Sequence, residues 1–523
     1  MAGSIFIKKP LDLLMREAEH TGEGSLKRVL GPVSLVSLGV GAIIGAGIFV
    51  LTGAAAAKYA GPAIVLSFIL AGIGCVFAGL CYAEFASLIP IAGSAYTYGY
   101  ATLGELFAWI IGWDLILEYA FGAATVASGW SGYFISLLQD FGIHIPPAYA
   151  ASPGTQLVYY SGRWQVLSNL TDTLKAAGVN PDSLQHVTGV FNLVAFLAIC
   201  LVTTVLVIGI KESANLNNVI VMIKVSIVLV FIGVASAFVL KHPSIATANW
   251  HPFIPKNLGE FGQYGWSGVA RGAAVIFFAY IGFDAVSTAA QETRNPQKDM
   301  PIGILGSLAI CTVLYIAVSG LLTGVVSYTS LNVPDPVAVG IDATGMGLGF
   351  TLGSHFIRLS SLLVKLGAIA GLGSVMLVML LGQSRVFYSM SHDGLLPPWA
   401  GKVHRRFQTP YISSITVGIF VALFAALIPI SVLGELVSIG TLLAFVIVCA
   451  GVWVLRRKRP ELVRPFRTPW VPLVPILGIL ISLLLMASLP LATWVRLLIW
   501  LAIGLSIYFT YGRFHSRVGN PGK

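Results

Sequence analysis

The stretch Gly39-Val-Gly-Ala-Ile-Ile-Gly-Ala-Gly47-Ile-Phe49 decides the fold. Four glycines fall within nine positions, in the middle of an apolar run over residues 33–57. Each glycine inside a helix weakens it by about 1 kcal/mol relative to alanine, so the cluster predicts a helix that unwinds there. Unwound backbone at membrane depth is tolerated only where it lines a cavity enclosed by protein. The alternative is a packing face of small residues, since Gly41 and Gly45 are four positions apart.

The composition around this stretch is that of an integral membrane protein. Of the 523 residues, 56% are hydrophobic and 10% are charged, whereas soluble domains carry about 25% charged residues. Strands of membrane barrels have about ten residues of alternating character, but the apolar runs here are longer and continuous. We therefore predict an all-α integral membrane protein with twelve transmembrane helices. The predicted spans are 33–57, 62–89, 104–138, 188–210, 217–240, 269–293, 302–328, 357–390, 412–430, 436–455, 471–490 and 495–512.

The distribution of charge predicts the orientation. The net charge is +10, and the basic residues lie in short connections between apolar runs, which argues against a nucleic-acid partner. With both termini on one side, that side holds roughly three times as many Lys and Arg residues as the other. The positive-inside rule then predicts cytoplasmic termini in the plasma membrane, with residues 1–32 as an amphipathic arm and 513–523 as a tail.

A second, weaker break signal lies five spans later, in Phe277-Phe-Ala-Tyr-Ile-Gly-Phe-Asp284 of the sixth span. Amides freed at the first break would favour a carboxylate. Carbonyls freed around Phe278, Ala279 and Ile281 would accept hydrogen bonds from an ammonium group. Two such breaks, in equivalent helices of two halves, predict an inverted-repeat transporter for the backbone end of an α-amino acid.

Ionisable side chains inside spans are functional candidates by default. Lys224 lies within the fifth span, about 12 Å from its nearer end, and is predicted to carry a proton; the alternative is a lysine that snorkels to the interface. Glu118, which shares a helix face with Asp114, is a second candidate, with a packing role as its alternative. Asp284 is predicted to cap the helix after the second break. Lys365 has no firm role.

Four segments give the sequence a family resemblance. It resembles the amino acid–polyamine–organocation superfamily and, more closely, bacterial members of the cationic amino acid transporter family. The resemblance implies a five-plus-five inverted repeat of the LeuT type with discontinuous helices 1 and 6. It places the first repeat in 33–240, the second in 241–456 and two further helices in 457–512. The four matching segments are 41–49, 82–96 (YAEFASLIPIAGSAY), 277–284 running into 292–301 (ETRNPQKDMP), and 385–397 (RVFYSMSHDGLLP).

The resemblance also implies site residues. The α-carboxylate of the substrate would bind at the first break, and its α-amine would bind at the second. Lys224 matches a lysine that replaces a sodium ion in proton-coupled relatives, and it would bridge helix 1 to helix 8 near Ser374. The implied substrate contacts are Ile43, Gly45, Ala46, Gly47, Phe278, Ala279 and Ile281.

Three residues depart from the family pattern, and one of them, Gln291, replaces a common Glu. Ala46 stands where relatives often have Thr or Ser, so backbone amides must suffice there. Met379 falls where cation-selective relatives tend to have smaller or polar residues, so its thioether would occupy the volume that a long basic side chain needs. Small neutral amino acids therefore join Arg and Lys as expected substrates, with Met379 as a specificity candidate.

The predicted function is proton-coupled import of an L-amino acid, small and neutral or cationic, by alternating access. No cofactor is expected, because the proton is the coupling ion. The alternative is a proton-independent facilitative exchanger of cationic amino acids on the same scaffold. A channel lacks a carbonyl filter or a charged ring, and an enzyme lacks a catalytic constellation. The expected partners are the amino acid, the lipid bilayer and, as a candidate, a small accessory membrane peptide.

Overall fold

The computed structural model describes most of the chain. The predicted N-terminal arm lies largely outside the described residues, as do the last residues of the predicted tail. The described residues are 5–10, 13–14, 30–91, 94–160, 162–167, 170, 174, 177–208, 214–333, 335–345, 349–405, 407 and 409–519.

Helices form the body of the described structure. The helix Glu105–Asp140 contains one turn of π-helix, Leu117–Phe121. The first helix, Pro32–Ile43, is followed by shorter helical segments that include Gly47–Leu51 and Thr52–Ala55. The main helices are α1 Pro32–Ile43, α2 Ile64–Leu88, α3 Ser94–Thr102, α4 Glu105–Asp140, α5 Leu193–Ile208, α6 Ala214–Lys241, α7 Gly265–Ile276, α8 Pro296–Val325, α9 Pro336–Ala343, α10 Leu359–His392, α11 Tyr411–Leu427, α12 Ile430–Lys458, α13 Leu473–Ser488 and α14 Leu491–Ile507.

Within the described ranges, eight helical segments are long and apolar enough to cross a membrane. Three shorter apolar helices, α5, α11 and α13, have 10–17 residues each. The first long segment, Pro32–Leu88, has 57 residues; a straight helix of that length would measure about 85 Å, far more than the hydrocarbon thickness. Gly61, with φ +61°, and Pro62 interrupt it, because glycine adopts positive φ without steric cost.

Helix boundaries differ slightly from the predicted spans. The span predicted at 302–328 is helical from Pro296, because a proline in the first turn is pre-organised for a helix start. The span predicted from residue 357 becomes helical at Leu359, since residues 355–358 belong to a strand. In both cases the local backbone, rather than the apolar run, determines the boundary.

Two small sheets lie at one end of the helical body, which we call the loop face. The connection between α4 and α5 contains three strands, β1 Gln156–Tyr160, β2 Arg163–Val166 and β3 His186–Thr188, which form an antiparallel sheet in the order β2-β1-β3. A separate hairpin of two strands, β4 Gly349–Leu352 and β5 His355–Arg358, precedes α10.

Both ends of the described chain meet at the opposite end, which we call the terminal face. The amides of Glu105 and Leu106 donate to the carbonyls of Ile7 and Ile5 at 2.9 and 3.0 Å. The Arg517 amide donates to the Asp393 carbonyl at 3.0 Å. Residues 5–10 and 513–519 are thus fixed to the same face.

Packing leaves a buried centre and an apolar exterior. α8 packs against α1 and α2, and α10 packs against α4. Large apolar side chains on α5, α6 and α14 point outward, as expected for surfaces in contact with lipid tails. Examples are Leu197, Leu201, Met222, Leu229 and Leu498.

Candidate binding site at two helix breaks

The helix of the first span stops in the middle of its glycine cluster. α1 ends at Ile43, and Ile44 takes an extended backbone with φ −71° and ψ 96°. Helical backbone resumes with the π-turn Gly47–Leu51. The glycines weaken the helix at the point where it stops.

The resumed helix presents its amides to this break. The Gly45 amide donates no backbone hydrogen bond among the described residues. The first amides of a helix lack intrahelical partners, and its dipole is positive at that end. A carboxylate at the break would therefore find hydrogen-bond donors and a favourable field.

The sixth span changes conformation in a similar way. α7 ends at Ile276 and continues as a 3₁₀ turn to Tyr280. Ile281 is then extended, with φ −59° and ψ 135°, and Gly282 has φ +118°. Only a glycine adopts such a φ easily, so the glycine of the predicted break signal lies where the helix is interrupted.

Asp284 stabilises this second break through hydrogen bonds to both of its carboxylate oxygens. One of its carboxylate oxygens accepts the Gly282 amide at 3.2 Å, and the other accepts the Tyr119 hydroxyl at 2.9 Å. Gly282 lies two positions before Asp284, and the amide of Ala285, which follows it, is also a hydrogen-bond partner of this carboxylate. Tyr119 lies on the π-turn of α4, so this turn helps to position the α7 break.

The two breaks are in direct contact. A Cβ placed on Gly47 would lie 2.2 Å from the Cα of Ala279, a distance that no side chain tolerates. The Tyr315 hydroxyl on α8 lies 2.8 Å from the Ile43 carbonyl and 2.9 Å from the Ala279 carbonyl. Glycine at position 47 lets the backbones meet, and Tyr315 spans the junction.

Sequence reasoning missed Tyr315. A tyrosine within an apolar span could have indicated a functional contact, because a buried phenol usually finds a hydrogen-bond partner. Nothing in the sequence shows which carbonyl that partner is. Only the packing of α8 against α1 brings the hydroxyl to the break.

The three carbonyls predicted for an amine have different partners. The Phe278 carbonyl accepts the Ile281 amide at 3.2 Å, and the Ala279 carbonyl is within reach of Tyr315. No hydrogen bond to the Ile281 carbonyl is present in the described part of the chain. Because a carbonyl oxygen has two lone pairs, all three retain capacity for an ammonium donor.

Lys224 reaches the first break from α6. Its ammonium donates to the carbonyls of Gly41 at 2.7 Å and Ile44 at 3.3 Å, and the residue is fully buried. The alternative that this lysine snorkels to an interface is therefore wrong. Its side-chain carbons lie over Gly371 of α10, where a Cβ would be 3.2 Å from Cγ. The predicted Ser374 lies three residues further on, and its hydroxyl donates to the Gly371 carbonyl at 3.0 Å.

Two further acids are buried on α4. Asp114 and Glu118 are nearly inaccessible, and their carboxylate oxygens have no partner at hydrogen-bond geometry among the described residues. Asp284 and Thr441 are the neighbours of Glu118. Within the described ranges, no group of three His, Cys, Asp or Glu side chains is placed to hold a metal ion.

Met379 and Lys365 both lie on α10. The Met379 sulfur is 2.9 Å from where a Cβ on Gly122 would be, so the thioether fills the space against α4. The Lys365 ammonium pairs with Asp140 at 2.5 Å near the loop face, and Lys365 is 1% exposed. This ion pair supplies the structural account of Lys365 that the sequence lacks.

A comparison with known protein families matches the part of the chain that contains the two breaks. The family described as "Amino acid permease" matches residues 30–508, a range that includes both breaks, Tyr315 and Lys224. The chain belongs to the amino acid permease family. This result confirms the predicted resemblance and identifies a multi-pass membrane protein whose family and fold are those of transporters.

Three relatives illustrate the range of this permease family. The chain is 46% identical over 519 residues to "Branched-chain amino acid permease BcaP" of Bacillus subtilis (strain 168), covering 99% of this chain and 100% of the relative. It is 45% identical over 513 residues to "Methylthioribose transporter" of the same organism, covering 98% and 99%. It is 34% identical over 444 residues to "Cationic amino acid transporter 4, vacuolar" of Arabidopsis thaliana, covering 85% and 66%.

A solved structure supports the fold. The crystal structure of MhsT in complex with L-phenylalanine aligns with this permease at a TM-score of 0.53 and 14% sequence identity. MhsT has the LeuT fold. The alignment covers 88% of this permease and 99% of MhsT. At this identity the likeness concerns the fold alone.

Proposed function

We propose that this permease imports a neutral L-amino acid with an aliphatic side chain, together with a proton, by alternating access. The observation that carries the proposal is the contact between the two breaks, where Gly47 meets Ala279 and Tyr315 lies between Ile43 and Ala279. Interrupted helices that meet inside a membrane protein offer backbone donors and acceptors to a substrate. An α-amino acid supplies the matching carboxylate and ammonium groups.

The proposed pose places the carboxylate at the amides of Gly45, Ala46 and Gly47. The ammonium would lie at the carbonyls of the second break, chiefly that of Ile281. Ala46 contributes no hydroxyl, so the carboxylate would depend on backbone amides alone. The remaining predicted contacts, Ile43, Phe278 and Ala279, would line this position.

The proposed preference for an aliphatic side chain rests on the neighbouring residues. Val375 lies against Gly45, where a Cβ would be 3.2 Å from its methyl group, and Met379 is buried on the same helix. Burying apolar substrate surface against such side chains is favourable by about 25 cal/mol per Å². The relatives named as branched-chain amino acid permeases are consistent with this preference.

A second candidate is proton-independent exchange of cationic amino acids. The observation in its favour is the buried pair Glu118 and Asp114, whose carboxylates face no counter-ion at bonding distance among the described residues. A basic substrate side chain would supply one. Relatives named as cationic amino acid transporters support this alternative.

Proton coupling is proposed to act through Lys224. A protonated Lys224 donates to two carbonyls of the first break, whereas a neutral amine would hold them less strongly. Gain or loss of the proton would thus bias the conformation of the broken helix and couple it to transport. Glu118, next to Asp284 at the second break, is the proposed second proton-carrying group, and Ser374 would lie on the α10 side of Lys224.

The proposed architecture is a five-plus-five inverted repeat of twelve spans, with discontinuous helices 1 and 6 at the breaks. Repeats at 33–240 and 241–456 and two further helices at 457–512 remain the proposed divisions. Cytoplasmic termini in the plasma membrane follow from the distribution of Lys and Arg. On this basis the terminal face is cytoplasmic. A small accessory membrane peptide remains a candidate partner.

Uptake into proteoliposomes tests the proposal. Purified permease would be assayed with Leu, Val, Ala, Arg and methylthioribose, with and without an inward proton gradient and a protonophore. Saturable uptake of Leu or Val that the gradient raises and the protonophore abolishes is expected. Arg counterflow that ignores the gradient would establish the alternative instead. Uptake of methylthioribose alone, a molecule without carboxylate or amine, would contradict the proposed pose.

A further inference from the structure

A cavity of about 230 Å³ lies at the terminal face, between residues 5–10 and the end of α12. Four basic residues line it, of which Lys9 is buried; the other three, Lys8, Lys458 and Arg459, are exposed. The rest of the wall is largely apolar and includes Val454, Leu455 and Leu462. The cavity therefore combines a positive rim with an apolar wall.

Among the residues that the structure describes, the positive charges around this cavity outnumber the negative ones. Lys9, which also lines it, pairs with Asp393 at 2.9 Å, and Arg459 pairs with Glu461 at 2.5 Å. Lys8 and Lys458 have no carboxylate partner among the described residues. Partial desolvation of its ammonium group, together with repulsion from Lys458 and Arg459, lowers the pKa of Lys8. Within the described part of the chain, the cavity thus retains two lysines without a carboxylate partner, and an anion would relieve their repulsion.

The size and location of the cavity narrow the class of anion. Sites for drug-sized ligands usually measure about 300–1,000 Å³, so this cavity suits a smaller group. Trp453 lies on the same end of α12, with the Arg457 guanidinium 5.0 Å from its ring centre. Tryptophan and basic residues together are typical of the membrane–water interface, where lipid phosphates lie.

We propose that this cavity binds a phosphate group, carried by an anionic lipid or by a free phosphate compound, through Lys8, Lys458 and Arg459. Lys8 belongs to the segment that bonds Tyr100, Glu105 and Leu106, whereas Lys458 and Arg459 lie at the end of α12. The bound phosphate therefore fastens the N-terminal segment to α12 across the terminal face. The binding itself does not depend on the proposed transport function.

Binding to the purified full chain in detergent tests this proposal. Native mass spectrometry would count bound phosphatidylglycerol against phosphatidylcholine. Thermal unfolding would compare inorganic phosphate with chloride at equal ionic strength. The test variant is Lys8→Gln combined with Lys458→Gln. Its matched control is Lys298→Gln combined with Lys402→Gln, which removes the same charge from exposed positions that do not line the cavity.

We expect the test variant to lose about 25-fold in affinity for the phosphate-bearing probe, at roughly fivefold per lysine, while the control keeps it. A preference for phosphatidylglycerol without a phosphate effect would identify a lipid headgroup, and stabilisation by inorganic phosphate would identify the phosphate itself. An equal loss in both variants, no loss in the test variant, or no response to either probe would overturn the proposal. Transport is not measured in these assays, so failure of the proposed function would leave their outcome unchanged.

Discussion

The ammonium of Lys224 donates a 2.7 Å hydrogen bond to the carbonyl of Gly41, 183 residues away in the sequence. A second bond reaches Ile44, where the helix has ended. One buried cation therefore satisfies carbonyls that the interrupted helix leaves free. The geometry makes the first break sensitive to the charge on a single side chain.

Replacing Lys224 by Gln is expected to abolish the dependence of uptake on a proton gradient. Hydrogen bonds to charged groups contribute about 1.5–3 kcal/mol, so we also expect uptake to fall about tenfold or more. Initial rates in proteoliposomes with and without the gradient measure both effects. Lys241→Gln, an exposed change at the end of the same helix, is the control; gradient-driven uptake that persists in Lys224→Gln would refute the assignment.

Replacing Tyr315 by Phe removes only the hydroxyl that lies between the two breaks. A hydrogen bond of this kind is worth about 0.5–1.5 kcal/mol, so substrate affinity is expected to fall about fivefold. Binding of the preferred amino acid by the purified variant measures the change. Tyr388→Phe, on the partly exposed face of α10, serves for comparison. Equal affinity in wild type and Tyr315→Phe would exclude a role for the hydroxyl.

Replacing Gly47 by Ala is expected to abolish uptake. The added methyl would lie 2.2 Å from the Ala279 Cα, so the two breaks must separate, at a cost of about 1–3 kcal/mol for overpacking. Uptake and unfolding temperature together measure the effect. Gly233→Ala on α6 meets no atom within 4 Å and should retain both. A fully active Gly47→Ala variant would show that the breaks do not need this contact.

Replacing Met379 by Ala is expected to raise the uptake of arginine and lysine relative to the uptake of free alanine. The reason is that the Met379 thioether occupies space beside α4. The variant should also lose about 2–5 kcal/mol of stability, as other truncations of buried methionine do. Competition by a panel of amino acids measures the preference. Met379→Leu, which nearly conserves volume, should keep the wild-type ranking. An unchanged ranking in Met379→Ala would remove this residue from the specificity determinants.

Replacing Asp140 by Asn leaves the ammonium of Lys365 buried without its carboxylate. Breaking such a pair from one side costs about 3–5 kcal/mol, so the unfolding temperature should drop clearly. Adding Lys365→Met to Asp140→Asn removes the stranded charge and is expected to recover most of the loss. The measurement is the thermal unfolding temperature of wild type, of Asp140→Asn and of the double variant. A double variant no more stable than Asp140→Asn would show that the pair contributes little.

Much of the fold could be predicted from composition and pattern alone. The apolar runs gave the helices, and the glycine cluster at 39–47 coincides with the end of α1 at Ile43. The Lys224 position followed from the rarity of charge inside a span. The small sheets of the loop face were not predicted, because strands of three to five residues are too short to show a clear alternation of apolar and polar side chains.

The functional contacts were less accessible to sequence reasoning. Tyr315 and Tyr119 are two of several tyrosines in apolar spans, and their carbonyl and carboxylate partners come from other helices. The pairing of Lys365 with Asp140 joins residues 225 positions apart. Such partners depend on which helices pack together, and no local pattern in a single sequence shows this.

The sequence by itself determined that the chain is helical and membrane-embedded, and where its first helix weakens. These properties follow from side-chain hydrophobicity and glycine backbone freedom, both of which act locally. Tertiary structure alone decided that Gly47 abuts Ala279, that Tyr315 reaches both breaks and that Lys8 lies beside Lys458. Those relationships arise from helix packing, in which residues far apart in the chain approach because buried polar groups must find partners and backbones without side chains can come close.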